Sequence, residues 1–129
     1  MPNAEGVPLD RLPDDSVVVR GGLMLLTDLV LSAQSHFDTK GFYALSVYST
    51  PGRTVDEIAV GVPLRHSKIR VSTVGRVRSA GYDVVSSQGP PGHADLVLPA
   101  PPTDHDWSTL DRVFDPPQLN PATMRLDDD

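Results

Sequence analysis

The densest group of chemically active side chains lies between residues 64 and 80, where basic residues occur with no acid among them. Guanidinium and ammonium groups bind phosphate oxygens, and an imidazole exchanges a proton near neutral pH. Strand spacing would place His66, Lys68 and Arg70 on one face, where they could neutralise several phosphates of a nucleic acid. This basic stretch comprises Arg65, His66, Lys68, Arg70, Arg76 and Arg78.

A further imidazole, His93, follows the Gly-Pro-Pro-Gly loop at 89–92. Two histidines near arginines can cleave RNA by general acid–base catalysis, because the cations stabilise the charge that develops on phosphorus. His66 and His93 are therefore candidates for a ribonuclease or RNA-binding site. The alternative is that the basic stretch is a solvated surface. The other histidines and acids lack the paired helical spacing of known zinc sites, so we predict no metal site.

Arg20 ends a valine-rich segment and is followed directly by Gly21 and Gly22. Glycine lets the backbone approach a bound anion closely, and a guanidinium binds phosphate or carboxylate through two hydrogen bonds. These three residues form a candidate anion site. An arginine at the end of a strand can equally extend its charged head into water without binding a ligand.

The order of residues over 16–60 resembles that of ADP-ribosyltransferase-like proteins, in particular the small RES-type toxins. The shared features are an arginine and glycine after a first strand, a helix, a second strand with hydroxyl side chains, and a Thr-x-x-Glu helix. The resemblance implies NAD as cofactor, with ADP-ribosyl transfer or NAD cleavage as the activity. The residues it implies for NAD binding are Arg20, Gly21, Gly22 and Tyr43, and those it implies for catalysis are Ser46, Tyr48 and Glu57.

These residues are arranged around one stretch, Gly41 to Val60. Alternation predicts a strand through Tyr48 that is mostly apolar on both faces, which is typical of an interior strand covered on both sides. The Thr-Pro-Gly sequence at 50–52 ends it. A helix over 54–60 follows, in which Thr54 and Glu57 have the spacing of a capping box. Capping and core packing are therefore alternative roles for Glu57 and Tyr43.

The rest of the chain predicts further short elements around this stretch. A β-branched strand covers 16–20, and apolar residues at helical spacing predict a heavily buried helix over 23–34, followed by a polar connection over 35–40. Beyond residue 60 the patterns predict a strand, a short helix, a hairpin and a last helix. We expect one compact α+β domain (mixed α/β) with a mixed sheet and three to four short helices.

Charge divides the chain into three parts. Residues 16–100 carry eight Lys or Arg against six acids, giving +2, whereas 1–15 carry −3 and 101–129 carry −5 of the total of −6. We expect 1–15 to be a flexible acidic arm, 16–114 the domain, and 115–129 a Pro-rich acidic tail. Acidic, Pro-rich ends are also typical of non-catalytic partner-binding proteins of the antitoxin or immunity type. If the protein is instead a toxin, its expected partner is a cognate antitoxin.

Composition limits the cellular setting. No apolar run reaches 18 residues and the N-terminus is acidic rather than basic and then apolar, so we expect neither a membrane span nor a signal peptide. The chain has no cysteine, which removes disulfides and thiolate chemistry and fits a reducing compartment. We therefore predict a cytoplasmic protein.

Overall fold

The computed structural model describes residues 12–61, 66–87, 91–99 and 101–122. Its elements in chain order are β1 (Val17–Gly21), α1 (Leu26–Lys40), β2 (Ala44–Tyr48), α2 (Val55–Gly61), β3 (Lys68–Thr73), α3 (Val74–Ser79), β4 (Asp83–Ser86), β5 (His93–Val97), α4 (Asp104–Val113) and β6 (Gln118–Leu119). The α+β class and the single domain predicted from the sequence are confirmed.

The strands form one six-stranded sheet in the order β4-β5-β2-β1-β3-β6. All the pairings among the described strands are antiparallel, so the parallel component of the expected mixed sheet is not found there. The strand β2 lies in the interior of the sheet, as its two apolar faces predicted. The strands β1 and β2, which α1 connects, pair directly with each other and run in opposite directions, so they do not form a parallel βαβ unit.

Apolar side chains cover both faces of the sheet. The larger cluster joins Val18, Leu45 and Leu96 to Trp107 and Leu110 of α4. The smaller cluster packs α2 over β1 and β3 and contains Val19, Ile58, Ala59, Ile69 and Val71, with Tyr48 against it. We call the side of the sheet that carries the smaller cluster the α2 face. A strand residue opposite a member of this cluster therefore also projects from the α2 face.

The first helix differs from its prediction in both extent and burial. It continues through Lys40 instead of ending at Gln34, and Gly41 terminates it in a left-handed conformation with a φ of 87°. Only Leu29 and Ala33 of α1 are buried, whereas Leu26 and Leu31 are 56% and 70% exposed. The prediction of a heavily buried helix was therefore wrong, because the leucines at its start extend around more of the helix than the sheet covers.

The packed domain extends beyond residues 16–114 at both ends. Leu12 is buried in the larger cluster, and its carbonyl oxygen accepts a hydrogen bond from Arg78 at 2.7 Å. At the other end Asn120 is fully buried and donates to the His66 carbonyl oxygen at 2.8 Å. The rest of the expected arm and tail, 1–11 and 123–129, lies outside the described residues. Within the described part of the chain, no helix combines the length and apolar character needed to cross a membrane.

Candidate functional site

Four polar or aromatic side chains form a square on the α2 face where β2 and β5 pair. The register places Ser46 opposite Asp95 and Tyr48 opposite His93. Tyr48 packs against the smaller cluster, which fixes the face for all four residues. Side chains directly opposite in an antiparallel pair have Cβ atoms about 5 Å apart, so the four side chains lie within one small area of the α2 face.

The C-terminal half of α1 lies against this square. His36 Nε2 is 2.9 Å from Asp95 Oδ1, and Lys40 Nζ is 3.8 Å from Asp95 Oδ2. The two residues are four positions apart, so they lie on the same side of the helix. Asp95 is 4% exposed, and both an imidazole and an ammonium group contact its buried carboxylate.

A cavity of about 460 Å³ opens between α1 and the square, and we call it the α1 cavity. Its lining combines two imidazoles, one ammonium and several hydroxyl groups. These are groups that bind phosphate oxygens and sugar hydroxyls and that transfer protons. The lining residues are Leu31, Ser32, Ser35, His36, Thr39, Lys40, Ser46 and His93.

His93 has the geometry and charge state of a general base. Its Nδ1 is hydrogen-bonded to the Ser87 hydroxyl, and its ring meets Tyr48 edge-on at 5.5 Å between centroids. Nε2 has no hydrogen-bond partner among the residues that the structure describes. Burial lowers the pKa of His93 below 6.5, and Lys40 and His36 lower it further, while Asp95 opposes the shift. The imidazole is therefore neutral at pH 7 and can accept a proton.

His36 is a nearly buried residue of the site and contacts Asp95. Its side chain is 8% exposed, and its Nε2 donates to Asp95, since a carboxylate only accepts. Nδ1 is buried and has no partner in the described part of the chain, and Phe42 lies over the ring at 5.2 Å. Its contacts thus indicate that His36 positions Asp95.

Arg20 contacts two residues that line the α1 cavity, Ser46 and Ser32, but does not line it itself. It donates to the Ser46 carbonyl oxygen at 2.7 Å and to Ser32 Oγ at 3.2 Å. Burial lowers the pKa of Arg20, and Asp28 opposes this shift. The guanidinium is still charged at neutral pH, because the ordinary pKa of an arginine lies far above neutrality. Arg20 is thus hydrogen-bonded to the backbone of Ser46, and two of its donors bind protein groups.

The glycines after Arg20 have a local structural role. Gly22 has a φ of 89°, and a Cβ added there would lie 3.4 Å from Cδ2 of His66. The left-handed backbone therefore favours glycine at this position, whereas a Cβ would make only an ordinary van der Waals contact with the ring. Gly21 ends β1 opposite Ile69 of β3. Neither glycine is among the residues lining the α1 cavity.

The two remaining residues of the resemblance lie elsewhere. Glu57 and Thr54 form the predicted capping box, with Thr54 N donating to Glu57 Oε1 at 2.9 Å and Glu57 N donating to Thr54 Oγ1 at 3.2 Å. Tyr43 stacks on Phe37 with centroids 4.5 Å apart and packs against the larger cluster. Both alternative roles that the sequence offered, capping and core packing, are thus observed.

The basic stretch does not form one open surface. Arg70 is 5% exposed and pairs with Asp111 at 2.6 Å, and Arg76 pairs with Asp115 at 3.0 Å. Arg78 pairs with Asp14 and Asp83. His66 and Lys68 are exposed, and Arg65 lies outside the described residues. Three of the six basic groups are thus used in ion pairs within the fold, which leaves little of the expected nucleic-acid surface.

The sequence patterns did not single out His36 and Lys40, which line the α1 cavity, or Asp95, which contacts both of them. A signal was present, because Ser32, Ser35, His36, Thr39 and Lys40 form one polar stripe at helical spacing. Ending the helix at Gln34 concealed this stripe. No family model, curated protein or solved structure matches the chain.

Proposed function

We propose that this protein cleaves RNA by general acid–base catalysis in the α1 cavity. The observation that carries the proposal is that a neutral imidazole, His93, and an ammonium group, Lys40, line one hydroxyl-rich cavity over the Ser46–Asp95 pair. The sequence analysis named His66 and His93 as candidates for a ribonuclease site. The site proposed here includes His93 but not His66.

In the proposed reaction His93 Nε2 accepts the proton of a ribose 2′-hydroxyl. The 2′-oxygen attacks the adjacent phosphorus, and the 5′-oxygen leaves, which gives a 2′,3′-cyclic phosphate. Lys40 neutralises the charge that develops on the phosphate oxygens and supplies a proton to the leaving oxygen. Asp95 holds the ammonium in place, and His36 holds Asp95.

The composition of the cavity supports a phosphate ester as substrate. Lys40 and nearby Arg20 provide positive charge, while Asp95 provides negative charge at the buried base of the site. The hydroxyl groups of Ser32 and Ser46 can donate to phosphate oxygens or accept from ribose. A substrate with both an anionic centre and sugar hydroxyls uses all of these groups.

NAD is the second candidate substrate, and one observation favours it. Arg20 is hydrogen-bonded to Ser46, and Tyr48 lies beside His93, so three residues of the ADP-ribosyltransferase resemblance surround the same site. Glu57 is in the capping box of α2 and does not line the α1 cavity. For NAD cleavage Asp95 would have to be the carboxylate that stabilises the ribosyl cation.

The test is to incubate the purified protein separately with a single-stranded RNA oligonucleotide and with NAD. We expect RNA fragments that end in a 2′,3′-cyclic phosphate, identified by mass spectrometry, and intact NAD by chromatography. Release of nicotinamide with intact RNA would favour the second candidate. Turnover of neither would leave a binding function, such as that of an antitoxin or immunity protein, and would contradict our proposal.

The pH dependence of cleavage should follow His93. Because burial lowers its pKa below 6.5, kcat/KM should hold steady near neutral pH and fall on the acid side with a midpoint below 6.5. Lys40→Met removes a cation that lowers this pKa, so the midpoint should move to higher pH. Asp95→Asn removes an anion that raises it, so the midpoint should move to lower pH. Shifts in the same direction would show that another group controls the rate.

A further inference from the structure

A second cavity, of about 290 Å³, is lined by residues of α2 and of the segments that precede α2 and β5. Gly92 lines the second cavity and His93 lines the first. The backbone N–H of Ser49 donates to the Gly92 carbonyl oxygen at 2.9 Å, which fixes this boundary to the end of β2. The second cavity is lined by Thr50, Arg53, Glu57, Ile58, Gly61, Pro91 and Gly92. The two cavities therefore have consecutive residues of the chain, Gly92 and His93, in their linings.

Glu57 presents a fixed carboxylate to the second cavity. Oε1 accepts the Thr54 N–H at 2.9 Å, which orients the group, and Oε2 has no hydrogen-bond partner among the described residues. The Thr54 hydrogen bond lowers the pKa of Glu57, so the side chain is ionised and only accepts hydrogen bonds. Arg53 lines the same cavity and only donates them.

This pair of an acceptor and a donor matches one nucleobase. Guanine has two adjacent donors, N1–H and the N2 amino group, and next to them the O6 acceptor. Adenine and cytosine each place an acceptor beside their amino group, and uracil places its single N–H between two carbonyl oxygens. A carboxylate accepts both guanine donors, and arginine is a common donor to guanine O6.

We propose that the cavity formed by Glu57, Arg53 and Thr50 binds the base of the nucleotide whose 2′-hydroxyl faces His93, and that it selects guanine. This inference rests on the proposed RNA cleavage and adds its base preference. Glu57, which the resemblance made catalytic, is here a specificity residue.

The test compares cleavage of four dinucleoside monophosphates, GpA, ApA, CpA and UpA, by the unmodified protein. We expect kcat/KM for GpA to exceed that for the other three by about tenfold or more, since a bidentate base contact discriminates at that level. Equal cleavage of all four would overturn the base preference and leave RNA cleavage intact. Cleavage of none would overturn both.

Glu57→Gln is the matched variant, because glutamine also serves in a capping box and removes only the carboxylate. We expect its kcat/KM for GpA to fall about tenfold, with ApA cleavage and the melting temperature nearly unchanged. Asp56→Asn removes a neighbouring exposed charge of α2 and should keep the preference for guanine. Equal loss on GpA and ApA in the Gln variant would contradict the assignment.

Discussion

His93→Gln should lower kcat for RNA cleavage by a factor of about 10² to 10⁴, the usual contribution of a general base. The glutamine can keep a hydrogen bond to Ser87 and the contact with Tyr48, but its amide cannot accept a proton at neutral pH. Substrate binding relies on Lys40 and the hydroxyl groups, so KM should change far less than kcat. Steady-state kinetics on an oligonucleotide measures both constants.

The control for this variant is His105→Gln. His105 lies on the exposed side of α4, with Nε2 3.5 Å from Thr109 Oγ1, and does not line the α1 cavity. Its replacement should leave kcat unchanged. Full activity in the His93 variant, or an equal loss in both variants, would remove His93 from the reaction. Circular dichroism of both variants separates a catalytic loss from unfolding.

Local patterns were sufficient to predict the central strand and the helix that follows it. Alternation placed Ser46 and Tyr48 on one face, and the capping box at Thr54 and Glu57 forms as its spacing indicated. The sequence could not show that β5 pairs with β2 in the register that places His93 beside Tyr48. That pairing joins residues far apart in the chain, and it depends on packing of the whole sheet.

The predicted end of α1 was wrong, and this error concealed the helical residues of the candidate site. The leucines between residues 23 and 31 led to a predicted helix that begins too early, at residue 23. Leu25 supplies no side-chain cap and Met24 has a φ of 58°, so the helix begins only at Leu26. Gly41, with Lys40 before it, is the usual signature of a helix end. A predicted helix that ends before Gly41 would have included His36 and Lys40 and placed them on the same side of the helix.

The burial of Arg70 contradicts both interpretations of the basic stretch, the nucleic-acid surface and the solvated surface, for a physical reason. Its guanidinium donates to the carbonyl oxygens of Asp111, Phe114 and Asp115 and, at 3.5 Å, of Leu23. The last carbonyl groups of a helix have no partner within it, and α4 ends at Val113. A buried cation at this end therefore supplies donors that no hydrophobic residue could replace.

We accordingly expect Arg70→Met to lower the free energy of unfolding by about 3–5 kcal/mol, since it leaves several buried acceptors without donors. Arg70→Lys should recover only part of this loss, because an ammonium cannot reproduce the planar array of donors. Urea denaturation followed by circular dichroism measures the change. Any loss of RNA cleavage in these variants should track the fraction unfolded.

Arg76→Met is the matched control in the same stretch. Arg76 and its partner Asp115 have side chains that are 43% and 52% exposed, so their ion pair should contribute no more than about 1 kcal/mol. If Arg70 and Arg76 variants were equally stable and both weakened RNA binding, the basic stretch would be a nucleic-acid surface after all. A large loss of stability for Arg70 alone would instead show that this residue holds the end of α4 against the segment that precedes α1.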